Sequence, residues 1–374
     1  MPSLVTFSDF LFATNEKVIT PSGEILNDAV KNTYILKTAL RGLGDDEILQ
    51  GGSKLTDRIM LEDNGSFQFY EPNQEFNPTS VQVLTKISVN WRFAKSDYSF
   101  ADEEILLNEG GDEVVFKKLK KSYEQSSYTS MFNGMEDACW AFPSASSMEA
   151  DAGKVAYSIP AFIDELGASS NYRWPGFTTI MTVDPTAESR WRNQISRYNS
   201  LTPYDQDDGI IGAFDDQWLR VMFESPETAS EYFENDRLNK MKILTNRNGV
   251  TMYKKALRAL NDRTVAPQDP AYNEPVYSGV PVRYISTLDT ALLDQTVAST
   301  TPAVWADGSP RYYFVNFNYL HPIYHTKRYM KTIGPIPGGP KQPFSHVVYK
   351  NTYYNWFLRS RQRQGIVTPA LFGT

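Results

Sequence analysis

The chain has 374 residues, of which 44 are acidic and 37 basic, for a formal net charge of −7. That balance argues against tight wrapping of nucleic acid, which depends on neutralising many phosphates, though not against a surface that merely faces it. One cysteine, Cys139, rules out an intrachain disulfide, and no apolar run approaches the 18 residues of a membrane-spanning helix, so a soluble protein assembled in a reducing cytoplasm is expected.

Residues 1–22 hold a short apolar run broken by Asp9 with no basic lead, a poor signal peptide, and they read as an arm lying on something else. Over 24–40, Ile25, Leu26, Ala29, Val30, Thr33, Leu36 and Leu40 fit a short amphipathic helix that Gly42 and Gly44 stop. Between 51 and 93 the period becomes two. Phe67 and Phe69 alternate in one strand-like piece, and Val81, Val83, Thr85, Ile87, Val89, Trp91 and Phe93 then hold every odd position. The spacing predicts a strand over 81–93, about 44 Å long at ~3.4 Å per residue, paired with the first piece in a two-stranded ribbon. Such a ribbon leaves one apolar face exposed, so it needs an ordinary sheet of its own, the long helix of the same chain or the surface of a neighbouring copy.

After Gly110 and Gly111, the stretch 112–140 contains no proline. Val115, Leu119, Tyr123, Met131, Met135 and Cys139 recur at spacings of four or its multiples, while Lys117, Lys118, Lys121, Glu124 and Gln125 take much of the other side. Asp112 is a plausible N-cap, with Glu113 in the first turn where the helix dipole favours a negative charge. The predicted helix runs roughly 40 Å, long enough that something extended must lie against it. Cys139, on its apolar stripe, reads as a small buried hydrophobe.

Beyond a change of direction at 143–147, the pattern predicts a strand over 218–223 and helices over 226–241 and 248–261. Strands follow over 277–288 and 312–317, then a rigid, helix-free linker over 334–340. Strands over 345–357 and 359–368 close the chain, the last basic at Arg359, Arg361 and Arg363.

Chemistry-bearing motifs are scarce. There is no phosphate-binding glycine loop and no nucleophile elbow. His321 and His325 lie four apart, but Pro322 sits between them and no glutamate adjoins, so they read as polar groups in an aromatic-rich segment. The pairs Asp207-Asp208 and Asp215-Asp216 stand beside glycines and read as solvated loop carboxylates. Lys117, Lys118, Lys120 and Lys121 could touch nucleic acid, yet a charge run on a helix face is usually only solvated. No catalytic, cofactor or metal site is expected.

The order and proportions of these elements resemble the major capsid proteins of tailed bacteriophages, the HK97-like capsid fold. Tyr277-Ser-Gly-Val-Pro-Val, entering a strand after a turn, and the closing stretch 345–370 look like that family's own. The resemblance implies an α+β fold: an N-terminal arm (1–40), an extended two-stranded E-loop (41–100), a peripheral domain with a long spine helix (101–150), an axial domain (151–335) and a C-terminal return to the peripheral domain (336–374). It also implies self-assembly as hexamers and pentamers into an icosahedral shell around a genome, each E-loop lying over the neighbouring subunit's peripheral domain. Expected partners are further copies of the chain, separate scaffolding and portal proteins, decoration proteins in some relatives, and DNA on the inner face without sequence specificity. No membrane is expected; the virion is the location, after assembly in the host cytoplasm. Because the chain starts almost directly with the arm, no large N-terminal cleavage is expected. Lys54 and Lys86 are the lysines near the ribbon and nothing poises either to react, so closure should be non-covalent.

On this reading Arg58 and Glu62 pair with charges on an adjacent subunit, and Trp91 and Phe93 anchor the ribbon base to the spine helix. Arg92, Lys117, Lys121, Arg361 and Arg363 complete the expected set of inter-subunit contacts. The alternatives are an encapsulin-like compartment shell, told apart by cargo enzyme in place of a genome, and another virion protein such as a tail or portal component. An enzyme using His321 or the aspartate pairs would bind metal stoichiometrically.

Overall fold

The computed structural model describes residues 48–62, 64–71, 83–103, 113–165, 176–199, 209–222, 241–260, 275–289, 310–338 and 344–369. The predicted arm and the helix over 24–40 lie outside them, as do Asp112, Asp207, Asp208 and nearly all of the helix predicted over 226–241.

The first strands are β1 (Ile48–Leu49), β2 (Lys54–Met60), β3 (Leu84–Asn90) and β4 (Arg92–Ala101). Three helices follow: α1 (Glu113–Cys139), α2 (Ala145–Met148) and α3 (Ile159–Phe162). Next come β5 (Gln194–Tyr198), α4 (Ile210–Val221), β6 (Met241–Thr245), α5 (Arg247–Leu260), β7 (Val276–Tyr277) and β8 (Val280–Tyr284). The chain closes with β9 (Tyr312–Asn316), β10 (Leu320–His325), β11 (Lys331–Pro337), β12 (Ser345–Leu358) and β13 (Gly365–Pro369). No described helix is long and apolar enough to cross a membrane.

Two compact units share this chain. One takes its described residues from Ala94–Met135 and Lys327–Thr352. In it β11 pairs antiparallel with the leading part of β12, from Lys331↔Asn351 to Pro337↔His346, and β4 also pairs with β12. Ser96 Oγ donates to the Ser127 carbonyl at 3.0 Å, tying β4 to α1. The wholly buried Lys350 ammonium lies 3.0 Å from the Tyr128 ring centroid and donates to the Glu124 carbonyl at 3.0 Å. Burial lowers its pKa, opposed by the Glu124 carboxylate.

The other unit takes its described residues from Tyr34–Phe93, Glu136–Thr326 and Tyr353–Thr374. Its main sheet has the order β5-β13-β9-β6-β8-β7. In α4, Ile210, Ala213, Phe214, Gln217 and Val221 recur at spacings of three and four and are buried. Phe214 stacks on Tyr253 of α5 at 5.1 Å and meets Tyr277, Tyr312 and Phe314 edge-on, so one ring joins two helices to the sheet.

Gly365 is where β13 comes closest to α4. A Cβ there would fall 1.6 Å from Gln217 Nε2 and 2.9 Å from Val221 Cγ2. Gln217 is fully buried, accepts from Ser196 Oγ at 3.0 Å and donates to the Gln194 carbonyl, so it cannot swing away freely. Gly365→Ala should therefore lower stability by about 2–3 kcal/mol in urea unfolding. A midpoint unchanged from the parent would show that this approach is looser than the geometry states.

Several expectations are corrected. The strand predicted over 81–93 breaks at Trp91: odd residues are buried in β3 (Ile87, Val89), but Arg92 and Ser96 are the buried ones in β4. One unpaired residue between the strands reverses which face points inward. The partner of β3 is β2, and residues 64–70 form no strand. Residues 218–221 belong to helix α4, because their apolar run continues the period begun at Ile210. Asp215 and Asp216 consequently stand on a helix, not in a loop. The stretch 334–337 lies within β11, where a shift of register between Ile333 and Ile336 passes over Gly334 and Pro335; an edge strand tolerates proline because it has an unpaired side. Of the strand predicted over 359–368, only 365–368 is strand. His321 and His325 lie in strand β10, so four residues separate them by about 13 Å along the chain and they form no pair.

Candidate interaction surface

The β2–β3 ribbon pairs antiparallel from Lys54↔Asn90 at its root to Met60↔Leu84 at its far end, about 24 Å at ~3.4 Å per residue. Its root is tied down by polar groups. Lys54 Nζ and Asn90 Nδ2 both donate to Asp151 Oδ1 at 3.0 Å, and Asn90 also reaches the Glu149 carbonyl at 3.3 Å. Asn355 donates to the Asn90 carbonyl at 2.7 Å while its own oxygen accepts the Tyr157 backbone N–H at 2.9 Å. Arg92 donates to the carbonyls of Met148, Ala150 and Gly153. Arg359 Nε stands 3.4 Å from Asp57 Oδ2.

A tight turn also engages the outer edge of β3. Met181 (φ 54) and Thr182 (φ 72) are both left-handed between Ile180 and Val183, a conformation disfavoured by about 1–2 kcal/mol for each such residue. The Ser88 N–H donates to the Met181 carbonyl at 3.2 Å, and Thr182 Oγ1 reaches the Lys86 carbonyl at 3.5 Å. Glu149 holds the turn from the other side, accepting from Thr179 Oγ1 at 2.5 Å and from the Thr182 N–H. Burial raises the Glu149 carboxyl above its ordinary range despite those donors.

Hydrogen bonds from Lys54 and Asn90 hold Asp151 below the usual carboxylate range. A depressed folded-state pKa stabilises above the unfolded value, and that contribution is lost as pH falls through the folded one. Wild-type urea midpoints should thus fall more steeply below pH ~4 than those of Asp151→Asn. Parallel acid limbs would detach Asp151 from the acid sensitivity of the ribbon root.

Beside this root lies an open cleft of about 490 Å³ whose lining includes Gly52, Lys54, Trp91, Phe93, His325 and Tyr353. The Trp91 indole N–H donates to the Gly52 carbonyl at 3.0 Å and its ring meets His325 edge-on at 5.6 Å. Phe93 lies edge-on to Tyr353 at 4.4 Å and remains 66% exposed. Trp91 and Phe93, expected to anchor the ribbon base on the long helix, make ring contacts here with His325 of β10 and Tyr353 of β12.

Arg58 and Glu62 are exposed, as a contact with another molecule requires. Arg92, Arg361 and Arg363 turn inward: Arg361 donates to the Phe162 and Trp191 carbonyls, and Arg363 lies over the Tyr319 ring. They were expected to contact neighbouring subunits, but each guanidinium has found acceptors or a ring within its own unit. The side chains of Lys117 and Lys121 lie outside the described residues. Sequence reasoning missed the exposure of Phe67, Phe69 and Tyr70, at 83%, 90% and 69%. The signal was present in their turn-rich surroundings. Among the described residues no cluster of His, Cys, Asp or Glu is placed to hold a metal ion.

No family model matches the sequence, and no curated protein sequence matches it either. Solved structures do match the fold. The chain is similar to a chain of the cyanophage A-1(L) capsid asymmetric unit, with 10% identity, 96% of this chain and 97% of that one covered, and a TM-score of 0.59. It is also similar to a chain from the capsid of a native GTA particle, at 9% identity, 93% coverage of both chains and a TM-score of 0.52. The α+β fold is therefore that of phage capsid proteins of the HK97-like kind.

Proposed function

We propose that this chain is the major capsid protein of a tailed bacteriophage, assembling as hexamers and pentamers into the icosahedral shell that encloses the genome. The observation that carries this reading is the phage-capsid fold, matched over 96% of this chain and 97% of the cyanophage chain. The ribbon supports it, since a two-stranded element with exposed apolar residues at its far end is marginal in water until something covers it. On this reading the E-loop is the β2–β3 ribbon, α1 is the spine helix, 151–335 is the axial domain, and the flanking segments form the peripheral domain. The role is structural rather than enzymatic. The location is the virion, after assembly in the host cytoplasm with scaffolding and portal proteins, the inner face meeting DNA without reading its sequence.

Negative-stain microscopy of the full chain, expressed alone and with its neighbouring genes, tests the proposal. Closed shells, or discrete hexamers and pentamers, are expected. A dispersed monomer under every condition would overturn it, and shells filled with an enzyme in place of nucleic acid would favour a compartment. Arg58 and Glu62 are proposed to pair with charges on the adjacent subunit, so Arg58→Ala with Glu62→Ala should impair closure while leaving monomer melting unchanged; normal shells would remove them from the interface. Closure is proposed to be non-covalent, giving a single band on a denaturing gel.

A further inference from the structure

We infer that the open cleft at the ribbon root binds a small organic cation, a guanidinium or alkylammonium group, between its aromatic wall and the carboxylate of Asp151. The site lies within one copy, so the inference stands or falls apart from assembly.

Four rings line this cleft of about 490 Å³: Trp91 just before β4, Phe93 within it, His325 at the end of β10 and Tyr353 in β12. They form one chain of contacts, Trp91 to His325 at 5.6 Å, His325 to Tyr353 at 6.1 Å and Tyr353 to Phe93 at 4.4 Å. The interplanar angles along it are 64°, 71° and 67°. An edge-to-face contact covers at most one face of each ring, and Phe93 is 66% exposed, so it keeps a π-face open to a guest. The ring quadrupole attracts a cation that lies within about 6 Å of the centroid. At these ring spacings one cation can lie near two rings at once.

The rim carries the charge that such a guest needs. Asp151 lines the same cleft with its side chain 81% exposed, and hydrogen bonds from Lys54 and Asn90 keep it ionised at neutral pH. Both donors use Oδ1, at 3.0 Å each, and no hydrogen bond among the described residues reaches Oδ2. That oxygen is left to accept from a guest. Lys54 is the opposing charge on the lining, but its ammonium already stands 3.0 Å from Asp151.

Other guests fit less well. An anion would meet the carboxylate and the electron-rich ring faces together, and a neutral apolar molecule would leave Oδ2 unused. A guanidinium uses both features, because its plane stacks on a ring while its N–H groups donate to a carboxylate. The cleft is open to water, so the dissociation constant should be on the order of 1 mM.

Saturation-transfer NMR on the full chain tests this with n-butylguanidinium and its neutral isostere n-butylurea. The cation should bind about tenfold more tightly than the urea. Phe93→Leu keeps the apolar area but removes the π-face, so it should weaken the cation about threefold and leave the urea unchanged. Asp151→Asn should weaken the cation in the same selective way, and Lys54→Met, which removes the competing ammonium, should tighten it. Equal affinity for the two ligands would reduce the cleft to an apolar hollow and overturn the inference. Cation binding that neither Phe93→Leu nor Asp151→Asn weakens would belong to another part of this acidic surface and overturn it too. So would the absence of saturation at about ten times the expected constant.

Discussion

Arg92→Ala should lower the free energy of unfolding by about 4 kcal/mol, measured by urea denaturation of the full chain. The guanidinium is 3% exposed and its donors reach three carbonyls, those of Met148, Ala150 and Gly153. Burial lowers its pKa, opposed by Tyr157 and Asp151, but a guanidinium starts so high that it remains charged at neutral pH. A hydrogen bond to a charged group contributes about 1.5–3 kcal/mol, and each acceptor left buried without a donor costs about 1–3 kcal/mol. Water entering from the nearby root cleft would recover part of that loss, which brings the expected figure below the plain sum. Arg92→Lys should rescue less than half, because one ammonium cannot span the fork that a planar guanidinium presents. The loss should be felt at the root, since Asn90, two residues earlier, depends on the same 149–151 segment for its bonds to Glu149 and Asp151. A loss under about 1 kcal/mol would mean that the three carbonyls are hydrated and the segment stands without Arg92.

This arginine also marks where the sequence stopped being legible. The alternation ending in Val89 and Trp91 was visible and gave the right face for β3, but nothing local announces that Arg92 turns inward. Its acceptors lie 56 to 61 residues further on. The partner strand β2 was hidden for a similar reason: in Lys54–Met60 only Leu55 is buried, and Asp57 is matched by Arg359 far along the chain. By contrast α1 was read almost to the residue. Met131, Met135 and Cys139 repeat every four positions and are buried, and no proline interrupts the helix, so its extent was legible from local sequence. The run from Trp218 failed in the opposite way. A short apolar run suits a strand or a buried helix equally, and only the preceding turn of α4 decides between them. The likeness to capsid proteins was legible because it rested on the order of elements, which survives errors at their edges. The cleft was not, since Gly52, Trp91, His325 and Tyr353 come together from four separate stretches.

Breaking the ion pair between Arg311 and Glu165 should cost about 3–5 kcal/mol, whereas replacing both partners with apolar residues should be neutral or stabilising. Arg311 Nε stands 2.7 Å from Glu165 Oε1, with side chains 8% and 1% exposed, where β9 begins and shortly after α3 ends. Removal of either charge strands the other in a medium that cannot solvate it, so Glu165→Leu and Arg311→Met should each approach the upper part of that range. Removing both takes away the attraction and the two desolvation penalties together, and the penalties are the larger sum. The backbone would survive the exchange: the Arg311 carbonyl still accepts from Thr245 Oγ1 at 2.7 Å, and the Pro310 carbonyl from Tyr198 Oη at 2.7 Å. Glu165→Leu with Arg311→Met should therefore unfold within about 1 kcal/mol of the parent, giving a coupling energy well above 2 kcal/mol in the double-mutant cycle. If the double variant instead loses the sum of the two single losses, the charges act independently. The pair would then owe its position to other contacts at the entrance to β9.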